Sequence, residues 1–255
     1  MKRVSHAQLK AFAECPQRYK FIYIDLLQDK FKKPKPEFTM GQHVHTTLKR
    51  LLATVPTQKR TKEEVRQLLR QAWATNRSGF ASKDEEAQFG QRALLMLNSV
   101  VEGSLKAQPI YLEHYVQCIL SDDIVVSGRV DRLDQDSSGA VHLIDYKTSR
   151  HNPQYVDKGQ LALYSVLVRR GMDLPLVSAS YWYLEQNQFE SFYPSDTDIE
   201  MVIDEIKRKV ERVRAETLFS PTPSHVCKWC EFIDICPAKN EAMKIKSESS
   251  QNTIE

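Results

Sequence analysis

The feature that most constrains what this chain can fold into is a change of hydrophobic period near residue 107. Upstream, apolar residues recur at helical spacing. Val44, Leu48, Leu51 and Leu52 form one stripe; Val65, Leu68, Leu69, Ala72 and Trp73 a second; Phe89, Ala93, Leu94, Leu97 and Val101 a third. Ser5–Gln8 and Thr61–Glu64 read as capping boxes that open helices, and Lys30–Pro36 as a basic, proline-broken linker. Downstream the period shortens. Tyr111–Leu120, Val125–Leu133 and Ala140–Lys147 read as three strands joined by polar turns. A helix over Val156–Arg170 and two further strands, Val177–Leu184 and Gln188–Phe192, follow. Ile199, Val202, Ile206, Val210 and Val213 stripe a long helix that Pro221 and Pro223 end. This order predicts an α/β fold: a mixed five-stranded central sheet flanked by helices, with an N-terminal helical cap.

Composition narrows the class. Of 255 residues, 41% are apolar and 27% charged, a globular balance with enough chain for a full core. No apolar run approaches the roughly 20 residues needed to cross a bilayer, and the start, MKRVSHAQLKAFAEC, has no apolar signal-peptide region. With five cysteines, this points to a reducing, cytoplasmic setting, where thiols serve as ligands before they serve as disulfides. The net charge of +3 is unevenly placed. The first 50 residues carry 11 basic and 4 acidic side chains, which fits a polyanion-binding surface or a solvated face equally well.

The chemistry-bearing segment is Gly128-Arg-Val-Asp131, followed by Asp145-Tyr-Lys147. Residues two apart in a strand share a face, so Asp145 and Lys147 lie together, with Asp131 on the preceding strand. Two carboxylates brought together repel, and a divalent cation with oxygen ligands relieves them. Lys147 beside them can hold or deprotonate a water and stabilise phosphorane charge. The plainer reading is an ordinary ion pair on a sheet face. His45, one helical turn beyond Gly41, can complete a metal shell or simply sit at a core edge. Gln160 and Tyr164, four apart on a helix, share a face from which they can bond substrate, steady Lys147, or only face solvent. Glu113 is a further acidic candidate.

Cys227-Lys-Trp-Cys230 and Cys236 form a C-x2-C-x5-C set that needs a fourth ligand from among Cys15, Cys118, His225 or a remote residue. Four thiolates suit zinc or a [4Fe–4S] cluster alike. Cys118 alternates within a strand and reads as a small core residue.

Taken together, the motifs resemble the PD-(D/E)xK nuclease superfamily, in the RecB-type form that carries an iron–sulfur cluster. They are Cys15-Pro-Gln-Arg-Tyr19, Gly41–His45, Gly128–Asp131, Asp145–Lys147, Gln160–Tyr164 and Cys227, Cys230, Cys236-Pro237. Relatives include AddB-type nuclease domains and CRISPR-associated exonucleases. The resemblance implies that His45, Asp131 and Asp145, with the backbone carbonyl of Tyr146, hold Mg²⁺ or Mn²⁺, and that Lys147 serves the attacking water, with Gln160 and Tyr164 in the same site. It implies that Cys15, Cys227, Cys230 and Cys236 hold a [4Fe–4S] cluster. Val130 stands where the superfamily's name has proline.

The expected function is that of a divalent-metal-dependent deoxyribonuclease. Exonuclease action on single-stranded DNA is expected, in repair, recombination or CRISPR adaptation. The alternative is a DNA-end-binding or assembly subunit with weak or dispensable cleavage. DNA is the expected partner, with a helicase, a repair complex or a CRISPR integrase beside it, and no membrane. The expected organisation is a helical region over 1–106 contributing Cys15 and His45, a nuclease core over 107–220, a cluster-binding segment over 221–240, and a tail over 241–255 without order.

Overall fold

The structure, a computed structural model, describes residues 3–104 and 109–251. Its elements in chain order are β1 (Arg3–Ser5), α1 (His6–Glu14), α2 (Pro16–Tyr23), α3 (Gln28–Phe31), α4 (Pro36–Thr54), α5 (Lys62–Trp73), α6 (Lys83–Ser104), β2 (Pro109–Ser121), β3 (Ile124–Gln135), β4 (Val141–Lys147), α7 (Lys158–Val166), β5 (Leu176–Tyr183), β6 (Gln188–Phe192), α8 (Asp196–Ala215) and α9 (Lys239–Gln251), with short 3-10 turns between. Two compact units result: Met1–Lys33 with Glu205–Glu255, and Pro34–Asp204.

In the first unit, Ser5 caps α1 as its sequence predicts. Its hydroxyl accepts the Gln8 N–H, and the Gln8 side chain accepts the Ser5 N–H. Pro16 then forces a break. Proline cannot donate to the turn before it, so α1 ends and α2 restarts with Pro16 in its first turn. Phe12 and Tyr19 meet edge to face, and Val213 of α8 packs with them. Farther along, Phe21 and Phe31 both contact the buried Phe232, and Arg18 pairs with Glu231 through two hydrogen bonds. The helix α9 covers Lys239–Gln251, and residues 252–255 of the expected tail lie outside the described residues.

In the second unit, β2, β3, β4, β5 and β6 stand side by side in that order. The β2–β3, β3–β4 and β5–β6 pairs are antiparallel and β4–β5 is parallel. The mixed sheet flanked by helices is therefore as expected. The parallel pair needs a crossover, and α7 supplies it. Met40, Val44, Leu48 and Leu51 of α4, Val65 and Leu68 of α5, and Ala93, Met96 and Leu97 of α6 bury their stripes against Tyr146, Trp182 and Leu184. One helix was expected over Val156–Arg170. Instead α7 ends at Val166 and continues as a π-helical turn, Leu167–Gly171, a wide turn that hydrophobic spacing does not reveal.

The expected cysteine-ligated iron–sulfur region is corrected by the structure. None of the five cysteines is in a disulfide. Cys15 Sγ accepts the Thr222 N–H at 3.5 Å, and Cys227 Sγ accepts the Ser224 N–H at 3.4 Å. Burial pushes the Cys230 and Cys236 thiols up, and among the described residues no three cysteine sulfurs lie together within 4.8 Å of one another. Cys118 is buried in β2, as its alternation implied.

Candidate metal centre

The centre is built within the second unit, where α4, β2, β3, β4 and α7 each contribute side chains. Two glycines allow these elements to approach. A Cβ on Gly41 of α4 would lie 3.1 Å from the Thr148 hydroxyl, just past β4. A Cβ on Gly128 of β3 would lie 2.9 Å from both the Tyr164 ring and Leu167. The bare backbone at these positions lets α4 and α7 close on the strands that carry the acidic residues.

His45, one turn after Gly41, reaches two carboxylates. Its Nδ1 is 3.4 Å from Glu113 Oε1 and 3.4 Å from Asp131 Oδ2. Ligand atoms of these three residues all lie within 4.8 Å of one another. Glu113 is held there at a backbone cost. Its φ is +48°, in the left-handed region that a non-glycine residue seldom occupies within a strand. Asp131 is anchored from the next strand, accepting the Tyr146 N–H at 2.9 Å. Burial alone would lower the His45 pKa, but hydrogen bonds and charge from Asp131 and Glu113 outweigh it and raise it to about 10. One imidazole nitrogen and two carboxylate oxygens suit a divalent ion, which would compete with a proton for the His45 nitrogen.

Beside this triad lies a second cluster. Asp145, 4% exposed, pairs with Lys147 at 2.6 Å. Burial and the charge of Asp131 push the Asp145 carboxyl up, to about 6, against the opposing pull of Lys147. The Lys147 ammonium also donates to Gln160 Oε1 at 2.8 Å, and Gln160 Nε2 donates to the Tyr164 hydroxyl at 3.1 Å. Burial pushes the Tyr164 phenol up to about 12, so it stays neutral.

His45 and Asp131 thus come together, and so do Asp145, Lys147, Gln160 and Tyr164. The group whose ligand atoms close on one another has Glu113 as its third member, and Asp145 pairs with Lys147 beside it. Sequence spacing gives Glu113 little prominence, because its place across from Asp131 follows from the β2–β3 register and not from a motif. Tyr181, whose ring lies 4.4 Å from the Lys147 nitrogen, carries no motif signal at all.

A family model described as the PD-(D/E)XK nuclease superfamily matches residues 3–237. The chain belongs to that superfamily. Its membership makes the acidic centre that of a nuclease-type protein with metal-assisted chemistry. A putative exonuclease from Eubacterium rectale aligns over 90% of this chain and 87% of its own, at 12% identity and a TM-score of 0.53, and so shares the fold. The crystal structure of SSO0001 aligns over 93% of this chain and 87% of its own, at 17% identity and a TM-score of 0.42. No curated protein matches the chain.

Membership in the PD-(D/E)XK superfamily stands, but its iron–sulfur form does not carry over. Among the described residues, the His45–Glu113–Asp131 group is the one placed to hold a metal, and Cys15, Cys227, Cys230 and Cys236 do not gather in this way. Among the described residues no [4Fe–4S] site is thus indicated. Among the same residues, no helix is long and apolar enough to cross a membrane.

Proposed function

We propose that the protein is a divalent-metal-dependent deoxyribonuclease, acting as an exonuclease on DNA that is single-stranded or has a single-stranded end. The observation that carries this reading is the meeting of His45, Glu113 and Asp131 next to the Asp145–Lys147 pair. The triad would hold Mg²⁺ or Mn²⁺. A bound divalent ion supplies charge to a phosphate oxygen and acidity to water. The chain's own residues do the rest. Lys147, its ammonium kept in place by Asp145, donates the hydrogen bond that holds the attacking water and offsets the charge that builds on the phosphate, while the water's proton leaves to solvent. Gln160 and Tyr164 fix the direction in which Lys147 points. Cleavage in this family's manner leaves 5′-phosphate and 3′-hydroxyl ends. The fold relative described as a putative exonuclease is in keeping with end-directed cleavage. A helicase, a repair complex or a CRISPR integrase would each suit as the source of a single-stranded end.

The test is cleavage of 5′- and 3′-labelled single-stranded DNA with Mg²⁺, with Mn²⁺ and with chelator. Cutting by the wild type with either ion, lost with chelator and in Asp131→Ala and Lys147→Ala, supports the reading. A wild type that binds DNA yet never cuts, with either ion and on single- and double-stranded substrates, would instead favour an end-binding subunit.

A further inference from the structure

We propose that Tyr181 is a positioning residue for the reaction, acting on Lys147 through Gln160 and the start of α7. This rests on the reading above in which Lys147 serves the attacking water. Tyr181 sits on β5 directly opposite Asp145 of β4, and it is fully buried. Three contacts leave from this one side chain. Its hydroxyl donates to the Asp157 carbonyl at 2.6 Å and lies 3.1 Å from Gln160 Oε1, sharing its one proton between them. Its ring carries the Lys147 ammonium at 4.4 Å.

The consequence follows from donor chemistry. An ammonium only donates, so the oxygen of Gln160, not its nitrogen, must face Lys147. That leaves the Gln160 nitrogen for the Tyr164 hydroxyl. The Tyr181 hydroxyl favours the same orientation, because it too offers a proton to that oxygen. Asp157 is the N-cap of α7, its side chain accepting the Gln160 N–H at 3.3 Å. By holding the Asp157 carbonyl as well, Tyr181 ties the first turn of α7 to the sheet, so Gln160 is fixed both in backbone and in amide orientation. Lys147 is thereby left with one direction for its ammonium: between Asp145, Gln160 and the ring. The sequence presents Tyr181 only as an inward residue of a buried strand, so this link is visible in three dimensions alone.

The test is a cycle of Tyr181→Phe, Gln160→Ala and the double variant, with Lys147→Ala beside them, on single-stranded DNA with Mn²⁺. Melting temperature and Mn²⁺ affinity are recorded for each. Tyr181→Phe keeps the ring and removes only the hydroxyl. Its kcat is expected to fall roughly 10- to 100-fold with KM, melting and Mn²⁺ affinity held, and the double variant is expected to be no slower than Gln160→Ala alone. Losses that multiply in the double variant would overturn the link through Gln160. An unchanged kcat in Tyr181→Phe, or a loss that tracks melting or Mn²⁺ affinity, would reduce Tyr181 to a core residue. If Lys147→Ala cuts as the wild type does, it is the underlying assignment of Lys147 that fails.

Discussion

At the scale of single residues, the centre trades stability for chemistry. His45 has its folded pKa raised to about 10, above its ordinary 6.5. The stability it contributes without metal is thus fully present below pH 6.5 and is lost as pH rises through 10. An ion entering the triad must displace that proton, so binding is expected to release protons and to tighten with pH. Calorimetry of Mg²⁺ binding between pH 7 and 8.5, in buffers of different ionisation heat, should show about one proton released per ion. His45→Asn should bind more weakly, with that release lost. Asp145 has the opposite sign. Burial and Asp131 raise its pKa to about 6, above the ordinary 3.8, so the folded state is penalised as pH rises through this window. At pH 7.5, Asp145→Asn is expected to melt higher than the metal-free wild type, by about 2–4 °C for roughly 1 kcal/mol, while cleavage is abolished. A melting point below that of the wild type would mean that the ion pair with Lys147 outweighs the desolvation of its carboxylate.

At the scale of elements, close approach decides the site. Gly128→Ala would press a Cβ against the Tyr164 ring and Leu167, at an expected cost of about 1–3 kcal/mol. It should also cut the rate by pushing α7, and with it Gln160, off the sheet. Gly41→Ala meets a single hydroxyl oxygen at 3.1 Å, which rotates away more easily, so its loss should be the smaller. Melting curves and cleavage rates of the two variants check the order. Elements of this kind were readable in advance where a strong local cause fixes them. The capping box at Ser5, the N-cap at Thr61 without the reciprocal half of its expected box, the apolar stripes of α4 to α6 and the alternation of β3 and β4 fall where their residues require. The features that were not readable come from tertiary packing. The left-handed Glu113 has no sequence mark, since a glutamate within a strand gives no local signal of a positive φ. The π turn after Val166 leaves the apolar pattern of the helix unbroken. The cysteine spacing misled because spacing alone does not say whether the sulfurs close within ligand distance of one another, and among the described residues they do not.

At the scale of the whole molecule, the charge and the chemistry fall on different parts of the chain. The basic excess lies in the first 50 residues, whereas the acidic residues of the centre lie between Glu113 and Asp145. If the basic region contacts phosphates, DNA affinity should fall steeply with salt, and equally so in the wild type and in Asp131→Ala. Fluorescence anisotropy across a salt series measures both slopes, and a salt-independent affinity would remove the basic region from DNA binding. The central claim is that one divalent ion sits among His45, Glu113 and Asp131. Anomalous diffraction from crystals grown with Mn²⁺ tests it most directly. The account predicts a peak within coordination distance of the His45 nitrogen and one oxygen each of Glu113 and Asp131. A peak that leaves out Glu113, or no peak between these residues in crystals of protein that cuts DNA with Mn²⁺, would contradict it.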